Sequence, residues 1–185
     1  MSDAIEFPVE GITEDGIRLR LRTDADTPAL IEACQDPEVP RWTRVPDGYD
    51  ETHAAEWATT AARLQESGEA LPLAIADADT DEFLGSIGVQ EIDREHGRCD
   101  IGYFLAPWAR GRGVMTSAVR LMSRWAFENL PVERVQIKVQ PQNAPSRAVA
   151  QRAGYVFEGV LRSYEEIKGR RRDMAVYSLL RADLR

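Results

Sequence analysis

The order of elements predicts an α+β domain around one mixed sheet: strand, two helices, three strands, helix, strand, helix, two strands. Three observations lead there. Period-2 apolar runs mark seven strands. An apolar stripe at helical spacing marks a long helix in the second half. Short acidic turns join three consecutive strands, which reads as an antiparallel meander. The chain has 185 residues, 43 % hydrophobic and 29 % charged. That composition suits a folded chain, and the length suits one domain over residues 1–185.

Residues 1–15 read as a polar lead-in, frayed at the very end. Ile17, Leu19 and Leu21 alternate with Arg18, Arg20 and Arg22, a strand with one wet face. Thr23 to Asp26 offers N-cap chemistry and Pro28 suits a first helical turn. A short helix then runs through Ala29, Leu30 and Ala33. Asp36 to Gly48 holds Pro37, Pro40 and Pro46 and reads as a loop carrying aromatics, with at most a helical turn. A second helix spans Glu51 to Glu66 and ends near Gly68. Strands follow at Leu71–Ala76, Phe83–Ile92 and Arg98–Leu105, with turns at Asp77–Glu82 and Asp93–Gly97. Pro107 stops the last of these. Val114, Ala118, Leu121, Met122 and Trp125 form one stripe of a helix ending near Asn129, before Pro131. Val135, Ile137 and Val139 make the fifth strand. Asn143 to Ser146 opens a short helix, which Gly154 closes. The last strands are Tyr155–Val160 and Asp173–Leu180, with the run Lys168–Asp173 before the second.

Composition excludes several function classes. A net charge of −8 opposes general nucleic-acid binding, and Lys168 to Arg172 reads as a solvated hairpin turn. No apolar run approaches the ~18 residues of a membrane span. Met1 to Glu10 lacks the basic and apolar regions of a signal peptide. Cys34 and Cys99 read as packing residues, and His53 and His96 as surface residues in no metal pattern. A cytoplasmic protein without a metal is the expectation. The charge is uneven, −16 over residues 1–109 and +8 over residues 110–185. The split suggests an anion for the second half and a cation for the first; scattered surface charge is the plainer alternative.

Arg110-Gly111-Arg112-Gly113 leads from a strand end into the long helix. The first helical turn has unpaired N–H groups and partial positive charge, and glycines let the chain curl around an anion. Arg110 and Arg112 add charge and Thr116 a hydroxyl. The loop fits neither a Walker A motif nor a dinucleotide fingerprint, and a tight turn leading into a helix is its bland alternative. Arg110-x-x-Gly113-x-Met115 resembles the R/Q-x-x-G-x-G/A pyrophosphate loop of the GNAT (GCN5-related N-acetyltransferase) superfamily. Asn143-Ala-Pro-Ser146, Gly154-Tyr155, Glu158-Gly159 and Asp173 ahead of Met174 to Ser178 are similar to its RimJ/RimL branch. The resemblance covers Ile17 to Leu180 and departs at Met115, where the family prefers a small residue.

That resemblance implies the GNAT fold. Seven mostly antiparallel strands are flanked by about four helices, and the central parallel strands Arg98–Leu105 and Val135–Val139 splay apart. It implies acetyl-CoA as donor. The pyrophosphate would sit on main-chain amides of the loop Arg110, Gly111, Arg112, Gly113, Val114, Met115 and Thr116. The pantetheine arm would bond like an extra strand to Phe104, Leu105 and Ala106. Asn143 would hold that arm; a cap role is its alternative. Ser146 matches the serine beside the sulfur, an acid or hydrogen-bond donor to the thiolate; satisfying backbone amides is its alternative. Glu165 matches the position of the base, against the alternative of one more solvated glutamate beside Glu166; Glu158 reads as structural or pocket-forming. Arg41, Trp42, Tyr49 and Trp57, with Tyr164 facing them, would wall the acceptor site, against the alternative of ordinary packing.

Amide formation needs a neutral amine. A lysine amine near 10.4 needs deprotonation worth roughly 4 kcal/mol, while an α-amine near 7.7–8.0 needs little. The expectation is direct acetyl transfer in a ternary complex onto a primary amine, such as the N-terminal α-amine of a ribosomal or other protein. A polyamine or aminoglycoside acetyltransferase and a catalytically weak acyl-CoA sensor are the rivals, and the branch suggests a homodimer.

Overall fold

A computed structural model describes residues 4–184. Its strands are β1 (Ile12–Glu14), β2 (Ile17–Arg20), β3 (Leu71–Asp77), β4 (Phe83–Asp93), β5 (Arg98–Leu105), β6 (Arg134–Val139), β7 (Val156–Ile167) and β8 (Arg170–Leu180). Its helices are α1 (Thr27–Gln35), α2 (Glu38–Trp42), α3 (Glu51–Glu66), α4 (Val114–Asn129) and α5 (Ala144–Arg152). One sheet orders the strands β1-β2-β3-β4-β5-β6-β8-β7. Every neighbouring pair is antiparallel except β5 with β6.

The α+β class stands, with eight strands in place of seven and five helices in place of four. The extra strand β1 is three residues long and folds back on β2 through a turn at Asp15 and Gly16. The extra helix α2 tolerates Pro40 because its ring lies in the first turn, where no intrahelical N–H bond is lost. The lead-in is not loose from residue 4 onward. Ile5 and Phe7 are buried, the Ile5 N–H donates to the Gln65 carbonyl, and the Phe7 ring meets Trp125 edge-on at 5.3 Å. The fraying expected at residues 1–3 lies outside the described residues.

Alternation along the strands builds two cores. Leu19, Ile75, Ile87, Ile101 and Ile137 pack under α4 and α5, and Ala74 and Phe83 meet α1, α2 and α3 on the other face. The α4 stripe of Val114, Ala118, Leu121, Met122 and Trp125 is buried, and Met115, Val119, Ala126 and Phe127 are buried beside it. Burying a side chain such as Met122 contributes roughly 1.5–3 kcal/mol. Ser123 lies in the middle of α4 and is satisfied by the Val119 carbonyl at 2.6 Å and the Tyr155 hydroxyl at 2.7 Å. At the head of α1, Arg20 grips Asp26 through two 2.8 Å bonds. Burial raises the Asp26 carboxyl, but Arg20 and Thr23 outweigh it and hold the group below its ordinary range.

The β7–β8 hairpin closes at Lys168 and Gly169, both with positive φ. This turn is anchored rather than freely solvated: Lys168 Nζ donates to the Pro40 carbonyl at 2.7 Å and to Asp47 Oδ1 at 3.0 Å. The hairpin is thereby tied to the α2–α3 segment. Among the described residues no helix is long and apolar enough to cross a membrane.

Candidate active site

β5 and β6 pair only at Arg98, Cys99 and Asp100 with Arg134, Val135 and Gln136. Beyond that point the strands part, which is the expected splay. The edge of β5 facing the gap follows from its other bonds. The Ala106 N–H donates to the Leu84 carbonyl at 2.9 Å, and the pairing of Gly85 with Leu105 continues in register to Gln90 with Asp100. Main-chain groups alternate sides along a strand, so those of Phe104 and Ala106 face β4 and those of Tyr103 and Leu105 face the gap. This corrects the sequence expectation: of Phe104, Leu105 and Ala106, only Leu105 presents its main chain to the cleft. Phe104 lines the cleft through its side chain, and Ala106 is buried.

Past β5, Pro107–Ala109 make one turn of 3-10 helix, and the glycine loop opens α4. Gly111 has φ +76° and Gly113, the N-cap, φ +82°, left-handed values that glycine adopts at no steric cost. Among the described residues, no acceptor within the chain takes the N–H groups of Gly111, Arg112, Gly113, Val114 or Met115. A run of free amides at a helix N-terminus fits a pyrophosphate. The Thr116 N–H is not among them, because it donates to the Gly113 carbonyl at 2.9 Å. Arg110 departs from expectation as well. Its guanidinium donates to Asp36 Oδ1 at 2.8 Å and to the Leu105 carbonyl at 3.2 Å, so it straps the loop to the α1–α2 corner. Arg112 stays exposed at the loop. Met115 is 3 % exposed with its side chain in the core, so its bulk is directed into the fold.

The splay opens into a cleft of about 830 Å³ that Leu105, Arg110, Met115, Asn143, Ser146 and Glu165 all help to line. On its α5 side, Asn143 caps the helix: its Oδ1 accepts the Ser146 N–H at 3.2 Å. Ser146 Oγ lies 2.9 Å from the Tyr103 hydroxyl. Burial pushes the Tyr103 phenol up to about 12.

The other wall is charged. Lys138 Nζ lies 2.7 Å from Glu91 Oε2, 2.9 Å from Asp100 Oδ2 and 3.4 Å from Glu165 Oε1. Glu165 Oε2 accepts from Arg44 at 2.9 Å, and the Tyr164 ring lies 5.2 Å from Lys138 Nζ. Burial works against the Lys138 charge, but Glu91 and Asp100 outweigh it and raise its titration above the ordinary range. Burial also raises Asp100, though Lys138 and Gln136 pull the other way.

The expected acceptor walls divide. Trp42 and Trp57 line the cleft, with Trp42 Nε1 bonded to Glu38 Oε2 at 2.9 Å. Arg41 does not line it; it pairs with Glu38 on the outer surface of α2 and lies over Trp42. Tyr49 is core, stacked on His53, and borders a second recess of about 360 Å³ that shares Arg44, Trp57 and Phe104 with the cleft. Glu158 is structural: Arg134 and Ser178 outweigh its small burial and hold its carboxyl down at about 2. Both cysteines are buried, which pushes each thiol up to about 12. Tyr103, Lys138, Asp100, Glu91 and Arg44 were missed in the sequence. Lys138 carried a signal: it is one of only two lysines, alternating with core residues on a central strand.

A splayed parallel pair beside a helix-capping loop of free amides suits an extended ligand that carries an anionic group. The comparisons identify the family. A model described as "Acetyltransferase (GNAT) domain" matches residues 17–156, and the chain belongs to that family. It is 31 % identical over 175 residues to the uncharacterized N-acetyltransferase p20 of Bacillus licheniformis, covering 95 % of this chain and 98 % of that one. A putative ribosomal-protein-serine acetyltransferase from Vibrio cholerae superposes with TM-score 0.84 at 22 % identity, covering 95 % of this chain and 99 % of that one. The microcin C7 self-immunity acetyltransferase MccE, solved with acetyl-CoA and AMP, has TM-score 0.84 at 22 % identity, covering 94 % and 98 %. RimJ and RimL structures are also among the neighbours. The chain is a GNAT acetyltransferase; MccE was solved with acetyl-CoA and RimL with coenzyme A.

Proposed function

We propose that the chain acetylates a primary amine by direct attack, and that its acceptor is the N-terminal α-amine of a protein or peptide. Ser146 faces the leaving sulfur and Glu165 receives the proton shed by the amine. The observation that carries this reading is that Ser146 from α5 and Glu165 from β7 both line the cleft. Glu91, Asp100 and Glu165 give the acceptor side carboxylates suited to a cation. Both Glu165 oxygens already face cations, Arg44 and Lys138. Attack needs a neutral amine, and one that is already partly neutral avoids the roughly 4 kcal/mol deprotonation that a lysine requires. An α-amine meets that condition. The Leu105 N–H, turned into the gap, lies on the strand where the acetyl oxygen would be held. The loop amides and Arg112 hold the carrier, and Asn143 fixes the helix end that bears Ser146. The edge strand β7, with Phe157, Val160, Leu161 and Tyr164 exposed, suits pairing with a second copy.

Thiol release from acetyl-CoA tests the reading, comparing peptides bearing ribosomal-protein N-termini with polyamines and aminoglycosides. Ser146→Ala and Glu165→Gln each lower kcat by roughly 10²-fold or more while the acetyl-CoA Kd moves little. Turnover on polyamines or aminoglycosides alone refutes the α-amine acceptor. Unchanged kcat in both variants removes both residues from the reaction. Tight acetyl-CoA binding with no turnover on any amine favours a sensor.

A further inference from the structure

Tyr103 lies on the wall of β5 that turns toward α5, and its hydroxyl meets Ser146. Its oxygen is 2.9 Å from Ser146 Oγ and 3.2 Å from the Ser146 carbonyl oxygen. Each hydroxyl has one proton, so the pair has two arrangements. In the first, Ser146 donates to Tyr103 and Tyr103 donates to the Ser146 carbonyl, which leaves no serine proton for the cleft. In the second, Tyr103 donates to Ser146 Oγ, and the serine proton is free to point into the cleft. The rest of the neighbourhood is committed. The Ser146 N–H goes to Asn143 Oδ1, and the nearby Tyr177 hydroxyl accepts from Arg147 Nε at 3.0 Å.

We infer that Tyr103 is a positioning residue that aims the Ser146 hydroxyl proton at the leaving sulfur. This rests on the reading of Ser146 given above. When the C–S bond breaks, its electron pair stays on sulfur, the new C–N bond forms, and the amine proton leaves through Glu165. Neither hydroxyl loses its proton. A thiolate conjugate to a thiol near 8.5 does not deprotonate a phenol pushed up to about 12, so the pair acts by hydrogen bonding alone. A developing anion selects the second arrangement because only that one offers it a donor.

Binding of free coenzyme A tests this without any acceptor, with the thiol titrated in the complex by its ultraviolet thiolate absorbance. In the parent protein the bound thiol titrates below the free thiol. Ser146→Ala returns it to the free value. Tyr103→Phe raises it by about one unit, a tenfold loss of thiolate at a fixed pH below the titration. Tyr103→Phe adds nothing further in the Ser146→Ala background. Ser146→Thr, which keeps Tyr103 and a hydroxyl, retains the depressed titration. With a hexapeptide bearing a free amino terminus, Tyr103→Phe lowers kcat about tenfold and the acetyl-CoA KM less than threefold. A parental titration in Tyr103→Phe, an equal shift in the Ser146→Ala background, or loss of the depression in Ser146→Thr overturns the inference. If Ser146→Ala leaves the titration unmoved, the role of Ser146 itself fails; if only Tyr103→Phe is silent, that role survives.

Discussion

Lys138→Met removes the ammonium from the charged wall while keeping a stem of similar length. The Lys138 side chain is 9 % exposed and that of Asp100 5 %, whereas Glu91 is 56 % exposed. Glu91 therefore turns to water, at a cost of about 1 kcal/mol or less. Asp100 has no such exit and keeps only Gln136 Nε2 at 3.0 Å. Stranding one partner of a buried pair costs about 3–5 kcal/mol. A chain of this length loses about 2–4 °C per kcal/mol, so the unfolding midpoint should fall by roughly 6–20 °C.

The loss depends on pH in a defined direction. Burial already raises the Asp100 carboxyl, and without Lys138 it rises further. A carboxyl raised in the folded state binds its proton more tightly there than in the unfolded chain. The variant then gains stability as pH falls from that raised value toward the ordinary value of about 3.9. Urea unfolding should show a smaller deficit relative to the parent protein at about pH 5 than at about pH 7.5. Asp100→Asn in the variant should remove most of it. A deficit below about 1 kcal/mol, or one indifferent to both pH and Asp100→Asn, refutes the stranded-carboxylate reasoning.

Two further outcomes concern the carrier side. Gly113→Ala forces a side chain onto a residue at φ +82°, which costs about 1–2 kcal/mol. Because a β-carbon there meets no neighbour within 4 Å, that strain is relieved by turning the loop amides away. Calorimetry should show acetyl-CoA binding weakened about tenfold, and an unchanged Kd would separate the glycine from binding. Arg110→Ala breaks the strap to Asp36 rather than a phosphate contact, so the Kd should shift less than about threefold while the acceptor KM rises. A loss above about tenfold in acetyl-CoA affinity would return Arg110 to the pyrophosphate.

The sequence made the skeleton legible wherever periodicity and burial agreed. The α4 stripe and the alternation at Val135, Ile137 and Val139 both recur in the fold. The misses have physical causes. β1 is too short for alternation to register, and three prolines masked α2. β7 extends through Arg162 to Ile167 because it is an edge strand, where charged side chains are tolerated; Ser163 at φ +51° breaks its alternation. At the site, the glycine loop was legible from local spacing, since its amides are local. The Lys138 cluster was not, since it joins β4, β5, β6 and β7 through pairings that no short window contains.

The register of β5 sets what lies on each side of the sheet at the cleft. Its odd positions Ile101 and Tyr103 face α4 and α5, where Ser146 lies; its even positions Asp100 and Phe104 face Lys138 and the second recess. A slip of one residue would exchange the two faces, placing Asp100 in an apolar core and Tyr103 among carboxylates. Burial of Ile101 on one side and the Lys138–Asp100 pair on the other both oppose that slip. The irregularity between Gln90 and Asp93 then tilts Glu91, at φ +50°, toward Lys138 without disturbing the register below it. The strand that turns the Leu105 main chain into the gap is thus held in place by the ion pairs around Lys138. One alternation sets the geometry of both faces, so substitutions at Asp100 should disturb both under the proposed function.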